Sequence, residues 1–547
     1  MKSKILSLFL VGVTMTFNSC SDYLDMTPTD GPSDKLVWSK AEYAELAVND
    51  FYESINYFGN YNDGQCLAGM TEALTDEFKY GSTTYNANCY IPSEISYGGS
   101  VLSATYVATY LGNWNDVYKK VRRANEAISL LHKYGNFAEA DKTRLEAELR
   151  FFRGMYYFDL VKRYKGVIIY DEHMENYTKD KAISTETEGW DFVEADLTYA
   201  AKNLPVSKVP NGRLTSGAAY GLLSRAMLYA ERWDKAETAA GEVMKMGYTM
   251  PKNLRAAFTV GGEEAILQYA FNMNGVTHGF DNYYAPGGDR KLDGNDIVGA
   301  YGTPTQEMVE SFELATGGFP DWSAWHDKEG TKEVPPYELL EPRFKATILY
   351  NGASWKGRTI EPFVGGVDGW AEWKVEPSPD GRTTTGYFLK KMVNEDHSFL
   401  KNTKCESPWT AIRYAEILLN YAEACYHTGN VKGAQGALKQ VRDRVDLPTA
   451  NLTGEELMAA IRQERKVELA YEGQYYWDMR RWKLSERVFS NYRVHGFKIE
   501  KIGEAFKYSY VECDTENRNF PSKMYSCPMP ESELSNNGKV TQYTEWN

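Results

Sequence analysis

The sequence predicts a mainly α fold, a helical scaffold broken once by a large, irregular, loop-rich insertion. Three observations predict it. Apolar residues recur three and four positions apart in two separated regions, about 39–247 and about 409–483. A pair of helices in the first region matches a pair in the second. Between them, about 252–407, the chain is rich in Gly, Pro, Asn and aromatic residues, and no helical stripe persists.

The chain opens MKSKILSLFLVGVTMTFNSCSDYLD. Lys2 and Lys4 give a positive start, and Ile5 to Phe17 form an apolar run too short for a stable bilayer span. The run ends at Asn18-Ser19-Cys20, so residues 1–19 read as a lipoprotein signal and Cys20 as the acylated first residue of the mature chain. Phe17 stands where such signals usually carry Leu, and an ordinary secretory signal is the alternative. Residues 20–547 are then expected to form one anchored domain.

In the first region Trp114, Val117, Val121, Ala124 and Ile128 mark one helical face, and Leu145, Leu149, Phe152, Tyr156 and Leu160 another. Asn211-Gly212 punctuates. Helices follow over Ser216 to Ala230 and Asp234 to Met246, with a break at Arg232-Trp233. In the second region Ile412, Ala415, Ile417, Leu418, Tyr421, Ala422 and Cys425 make a helix ending at Gly429, and Val431 to Val445 its partner. Offset by 198 residues, Ala226 meets Ala424, Ala236 meets Ala434, Ala239 meets Ala437 and Val243 meets Val441. Small residues at helix crossings in a helix–turn–helix resemble tetratricopeptide units. Trp114, Trp190 and Trp233 fall in helical patterns and are expected in the core.

The insertion contains short apolar alternations, Ala265-Ile266-Leu267-Gln268-Tyr269 and Tyr387-Phe388-Leu389, that suit strands. Loops carry ligand sites more often than scaffolds do. Beyond it, IRQERKVELAYEGQYYWDMRRW (Ile461 to Trp482) spaces Glu464, Glu468 and Glu472 four apart. On one helix these like charges repel by roughly 0.2–0.5 kcal/mol per pair. Cations from elsewhere must compensate.

Composition narrows the function. A formal charge of −14 argues against tracking nucleic acid or an anionic membrane surface, and favours a neutral ligand. Aromatic residues at 14%, with 40 Tyr and 13 Trp, exceed what a core needs, so some rings are expected to face a ligand. The seven His form no metal-binding spacing with one another or with Cys, and no phosphate loop, dinucleotide fingerprint or nucleophile elbow is present. No metal or cofactor is expected apart from a candidate structural Ca²⁺ in the acidic loop Asp289 to Asp296. Cys66 with Cys89, or Cys513 with Cys527, are local candidates for disulfides, and Cys425 reads as a small core residue.

Several stretches together resemble the SusD/RagB family of outer-membrane lipoproteins. They are SCSDYLD after the signal, LTDEF (Leu74 to Phe78), AELRFFRGMYYFDLVKRYKGV, RYAEILLNYAEACYHTGN, the Ile461–Trp482 stretch and the closing CPMPESELSNNG. Tyr475 departs from the Arg that often follows Glu-Gly-x there. The resemblance implies four tetratricopeptide-like helix pairs holding an irregular ligand-binding half. It further implies glycan capture at the cell surface, without catalysis, for a SusC-like TonB-dependent transporter. Glu464, Glu468 and Glu472 then belong to the scaffold, with Arg150, Arg153, Arg480 or Arg481 as expected partners. Uptake of peptides is the alternative. A glycoside hydrolase is a second, for which Asp368 and Glu372 are the one tempting carboxylate pair.

Exposed Tyr and Trp rings stack on the C–H faces of sugars while Asn, Asp and Arg bond the hydroxyls. The loop after LTDEF supplies Tyr80, Tyr85 and Tyr90, a position that lines the glycan site in the family. The insertion supplies Tyr283, Tyr284, Arg290, Asp321, Trp322, Trp325, Trp355 and Trp370. Trp322 and Trp325 lack apolar neighbours in step and are expected to be exposed. Trp370-Ala371-Glu372-Trp373 suits a strand that buries one ring and shows the other.

Overall fold

The computed structural model describes residues 33–56, 71–80, 91–99, 102–206, 212–292, 299–372, 381–398 and 404–547. Cys20 and the leader, Cys66, Cys89, Tyr85, Tyr90 and Trp373 lie outside the described residues.

The longer helices are α1 (Ala41–Asn49), α2 (Trp114–Tyr134), α3 (Glu139–Val161), α4 (Glu186–Asn203), α5 (Ser216–Tyr229), α6 (Trp233–Met244), α7 (Tyr414–Thr428), α8 (Val431–Asp443) and α9 (Gly454–Glu468). The strands are short: β1 (Phe78–Tyr80), β2 (Ala265–Tyr269), β3 (Gly302–Pro304), β4 (Ile348–Leu349), β5 (Ser354–Trp355), β6 (Arg358–Thr359), β7 (Phe388–Leu389), β8 (Trp409–Arg413), β9 (His495–Ile502) and β10 (Ala505–Glu512). They pair antiparallel, two by two, as β1–β3, β2–β8, β4–β7, β5–β6 and β9–β10.

From α2 to α9 each helix packs on the one before it, and α7 packs on α6 although the whole insertion lies between them. The alanine matches explain the continuity. Ala226, Ala236, Ala239 and Val243, and their counterparts Ala424, Ala434, Ala437 and Val441, are all buried where the helices cross. Side chains this small let neighbouring backbones approach. α7 ends at Gly429 in the left-handed conformation, φ 81°, which lets α8 turn back at once. Thr185 and Glu188 form a capping box at the start of α4. The chain is therefore mainly α, as expected, with its insertion looped out of a continuous helical array. None of the described helices is long and apolar enough to cross a membrane.

Three readings of the scaffold need correction. Trp233 is half-buried, because it caps the array by stacking on His427 at 3.8 Å between ring centres. Ile412 lies in β8, not in α7, since pairing with β2 holds it extended until Tyr414. Cys513 and Cys527 are separate buried thiols and form no disulfide. Cys425 is in the core as expected.

A second core gathers Phe312, Phe344, Trp355, Tyr387 and Phe388 of the insertion with Phe78 of β1 and Phe497 and Tyr508 of the β9–β10 hairpin. The two halves meet at the acidic stripe. Glu464 and Glu468 are on α9, and Glu472 lies just past its end. All three are buried. Their partners are Arg343, Arg413, Arg442, Arg444 and Lys391, in place of the expected Arg150, Arg153, Arg480 and Arg481. The stripe faces the insertion, whereas Arg150 and Arg153 bind Asp196 and Glu172, and Arg481 binds Glu423. Burial alone would push the carboxyls of Glu468 and Glu472 up, but three arginines around Glu468, and Arg413 with Lys391 at Glu472, hold both below the usual carboxylate range.

Candidate ligand-binding face

β1 leaves the scaffold directly after the LTDEF motif and pairs with β3, setting Phe78 opposite Pro304 and Tyr80 opposite Gly302. That register leaves no room for a side chain at Gly302: a Cβ there would sit 2.1 Å from the Phe78 ring. The ladder brings the two aromatic segments together. The hydroxyls of Tyr80 and Tyr284 are 2.8 Å apart, within hydrogen-bond distance. Tyr284 and Tyr283 belong to a short helix, Phe280–Tyr284, whose Tyr283 carbonyl accepts from the backbone N–H of Tyr301 at 3.0 Å. The Tyr283 and Tyr301 rings lie 5.0 Å apart. Tyr80, Tyr284 and Tyr301 are buried, so they form the floor, and Tyr283 is the half-buried ring above it.

A second half-buried ring, Trp370, is tied to the same ladder. Trp370 bridges Thr383, and Thr385 donates to Thr303 of β3 at 3.1 Å. Beneath this segment Asp368 is fully buried and held by Arg358 at 2.7 and 2.8 Å and by the N–H groups of Gly288 and Glu361. Gly288 is required here, since a Cβ would lie 2.4 Å from the Asp368 carboxylate. Glu372 is exposed and pairs with Lys498. One carboxylate locked by arginine and the other facing solvent are not arranged to flank a bond.

Other candidates are placed differently from the expectation. Trp355 is fully buried. Its Nε1 donates to Asp289 at 2.9 Å, and Arg255, Lys356 and Lys390 lie 5.6–5.9 Å from its ring. The cations occupy the surroundings a sugar would need. Trp322 is 6% exposed, against the expected exposure, because it packs edge-on against Trp325 at 5.9 Å and joins the second core. Its apolar neighbours come from distant segments and were invisible locally. Trp325 is half-buried and donates to the Glu333 carbonyl. Asp321 is exposed and accepts from the Ser323 N–H, which lowers its pKa. These three belong to the neighbourhood of β10, where His326 lies against Tyr510 and Thr331 bridges Tyr508. Arg290 lies on the short helix Gly287–Leu292. Asp289, first of the acidic residues expected to hold Ca²⁺, lies on the same helix and is engaged by Arg358 and Lys356, so cations already neutralise it; Asp293 and Asp296 lie outside the described residues. Sequence reasoning missed Arg358, Thr383, Thr385 and Tyr301, which position the face; none carries a local pattern that marks it.

Comparison with known proteins agrees with this architecture. A family model described as "SusD family" matches residues 263–546, and one described as "Starch-binding associating with outer membrane" matches residues 34–228. A SusD-like protein of Bacteroides ovatus is 23% identical over 543 residues, 95% of this chain and 91% of that one. Among solved structures, a SusD-like protein of Bacteroides fragilis is 28% identical with a TM-score of 0.79, covering 94% of this chain and 98% of that one. A second from Bacteroides fragilis, described as a SusD-like carbohydrate binding protein, is 22% identical with a TM-score of 0.73, covering 92% and 100%. A laminarin binding SusD-like protein is 21% identical with a TM-score of 0.60, covering 92% and 99%. The continuous helical array, the looped-out insertion and these matches over both halves establish that the chain belongs to the SusD family.

Proposed function

We propose that this protein captures a polysaccharide or oligosaccharide, most simply a neutral one, at the cell surface and passes it to a SusC-like TonB-dependent transporter without cleaving it. The observation that carries the reading is the pair of half-buried rings, Tyr283 and Trp370, tied to one ladder from which the chain enters residues 81–90. Tyr85, Tyr90 and Arg290 are proposed to complete that face. Tyr80 and Tyr284 support it from beneath, and Trp322 and Trp355 belong to the second core. Family membership and the carbohydrate-binding relatives favour a glycan over a peptide. Lipidation at Cys20 would hold the chain on the outer membrane. Single-site affinity should be modest, because an open platform buries little area, and clustering on the membrane would add avidity.

The test is native affinity electrophoresis of the chain from Ser21 onward through gels containing different polysaccharides, with an assay for new reducing ends. Retardation by one glycan without cleavage is expected. Tyr283→Ala and Trp370→Ala should abolish it while leaving the melting temperature nearly unchanged. Trp355→Ala should instead lower stability, as loss of a buried indole does. Cleavage would reinstate the hydrolase, and absence of retardation by every glycan would favour peptide uptake.

A further inference from the structure

We infer that Asp281, His397 and Cys405 form a zinc site that fastens the ligand-bearing helix to the end of the insertion. Asp281 lies 116 positions before His397, yet the ligand atoms of Asp281, His397 and Cys405 all lie within 4.8 Å of one another. Nδ1 of His397 is 2.8 Å from the Asp281 carboxylate, and the other oxygen of that carboxylate accepts from the Asn394 N–H at 3.1 Å. Cys405 is held beside them by a backbone bridge, with His278 donating to its carbonyl at 3.0 Å and Cys405 donating back at 2.8 Å. Asp281 and Cys405 are buried and the His397 side chain is 6% exposed.

The chemistry of the donors selects the ion. Calcium and magnesium prefer oxygen ligands alone, whereas a thiolate, an imidazole and a carboxylate suit Zn²⁺. Around a tetrahedral zinc, donors at about 2.0–2.3 Å from the ion sit about 3.3–3.8 Å from one another. Seating the ion therefore parts the Asp281–His397 pair slightly. Three protein ligands leave a fourth position for water. On binding, the thiol sulfur keeps its electron pair to form the S–Zn bond, and its proton leaves to solvent. His278 supplies the surrounding order, since its Nδ1 accepts from the Phe280 N–H and its Nε2 lies 2.8 Å from the Ser407 carbonyl. Asp281 is two residues from Tyr283 on the same short helix, so the ion would brace the proposed ligand face. Metal binding is nonetheless readable without any glycan.

The experiment uses the chain from Ser21 onward, purified without a polyhistidine tag, stripped with chelator and titrated with Zn²⁺ or Co²⁺ alone. One ion per chain is expected, with release of about one proton. The Co²⁺ form should show a near-ultraviolet thiolate charge-transfer band. That band should survive Cys66→Ser and Cys89→Ser and vanish in Cys405→Ser. His397→Ala should weaken zinc binding more than about tenfold. Circular dichroism of the metal-free variants separates loss of the site from loss of the fold. A Co²⁺ form without the band, or equal stoichiometry and affinity in wild type, Cys405→Ser and His397→Ala, would overturn the inference.

Discussion

At the scale of single residues, the structure separates side chains that hold shape from side chains that meet ligand, and burial is the divider. Glu72 illustrates the first kind. It lies in the short helical turn before LTDEF, 1% exposed, and accepts from the Gly473 N–H at 2.6 Å. Burial pushes its carboxyl up to about 7, from an ordinary 4.5. The folded state therefore binds a proton that the unfolded chain releases between these values. This contribution to stability is full below pH 4.5, declines as pH rises and is gone above about 7. Glu72→Gln keeps an acceptor for Gly473 and removes the titration. At pH 8 the variant should be more stable than wild type by up to about 3 kcal/mol, and the gap should close toward pH 5. Urea midpoints at both pH values measure this, and an equal difference at both would refute it. Trp322 shows why such roles resist local reading. Asp321, Ser323 and Ala324 beside it are all exposed, and the groups that bury its indole come from elsewhere in the chain.

At the scale of elements, legibility followed the range of the forces. The helices of the array were readable because each buries a stripe repeated every three or four residues, and their ends carry local chemistry. Gly429 is such an end. Nothing lies within 4 Å of a Cβ built there, so its only constraint is the left-handed backbone. Gly429→Ala should cost about 1 kcal/mol through that strain alone. A Tm unchanged in Gly429→Ala would mean that the turn can relax. The β9–β10 hairpin carries only a weak local signal, although Phe497 and Ile499 alternate inward and Gly503 turns at φ 65°. Charged residues on its outer face dilute the alternation. The loop-rich insertion was legible as irregular, but apart from the local β5–β6 pair its ladders of two to five residues depend on partners some 40 to 220 positions away, as in β4–β7 and β1–β3. No window of sequence contains both halves of such a pair. The aromatic face inherits that limit: Tyr283 and Tyr80 could be nominated from composition, whereas the surroundings of Trp355 include Asp289, Arg255 and Lys390 from three distant segments.

At the scale of the whole molecule, the question raised by the acidic stripe becomes one of coupling between the halves. Glu468 alone contacts Arg343 from the insertion, Arg413 at the end of β8 and Arg444 from the end of α8. Glu264, beside β2, completes the circle with Arg413 and Arg444. Such a cluster adds little net stability compared with apolar packing, because desolvation offsets most of the attraction. It does make any other arrangement of the halves costly, since separating them would leave several charges buried and unpaired. Glu468→Ala creates that condition at one stroke and should destabilise the protein by about 3–5 kcal/mol. The signature lies in how unfolding proceeds. Far-ultraviolet circular dichroism follows the helical array, and the near-ultraviolet signal includes Trp322, Trp355 and Trp370 of the insertion. In wild type the two should lose signal together. In Glu468→Ala the insertion should melt first, because its attachment depends on Arg343 and Arg413 finding their carboxylate, whereas the array retains its own continuous core across α6 and α7. Coincident transitions in the variant would show that the second core, not the charge cluster, couples the halves.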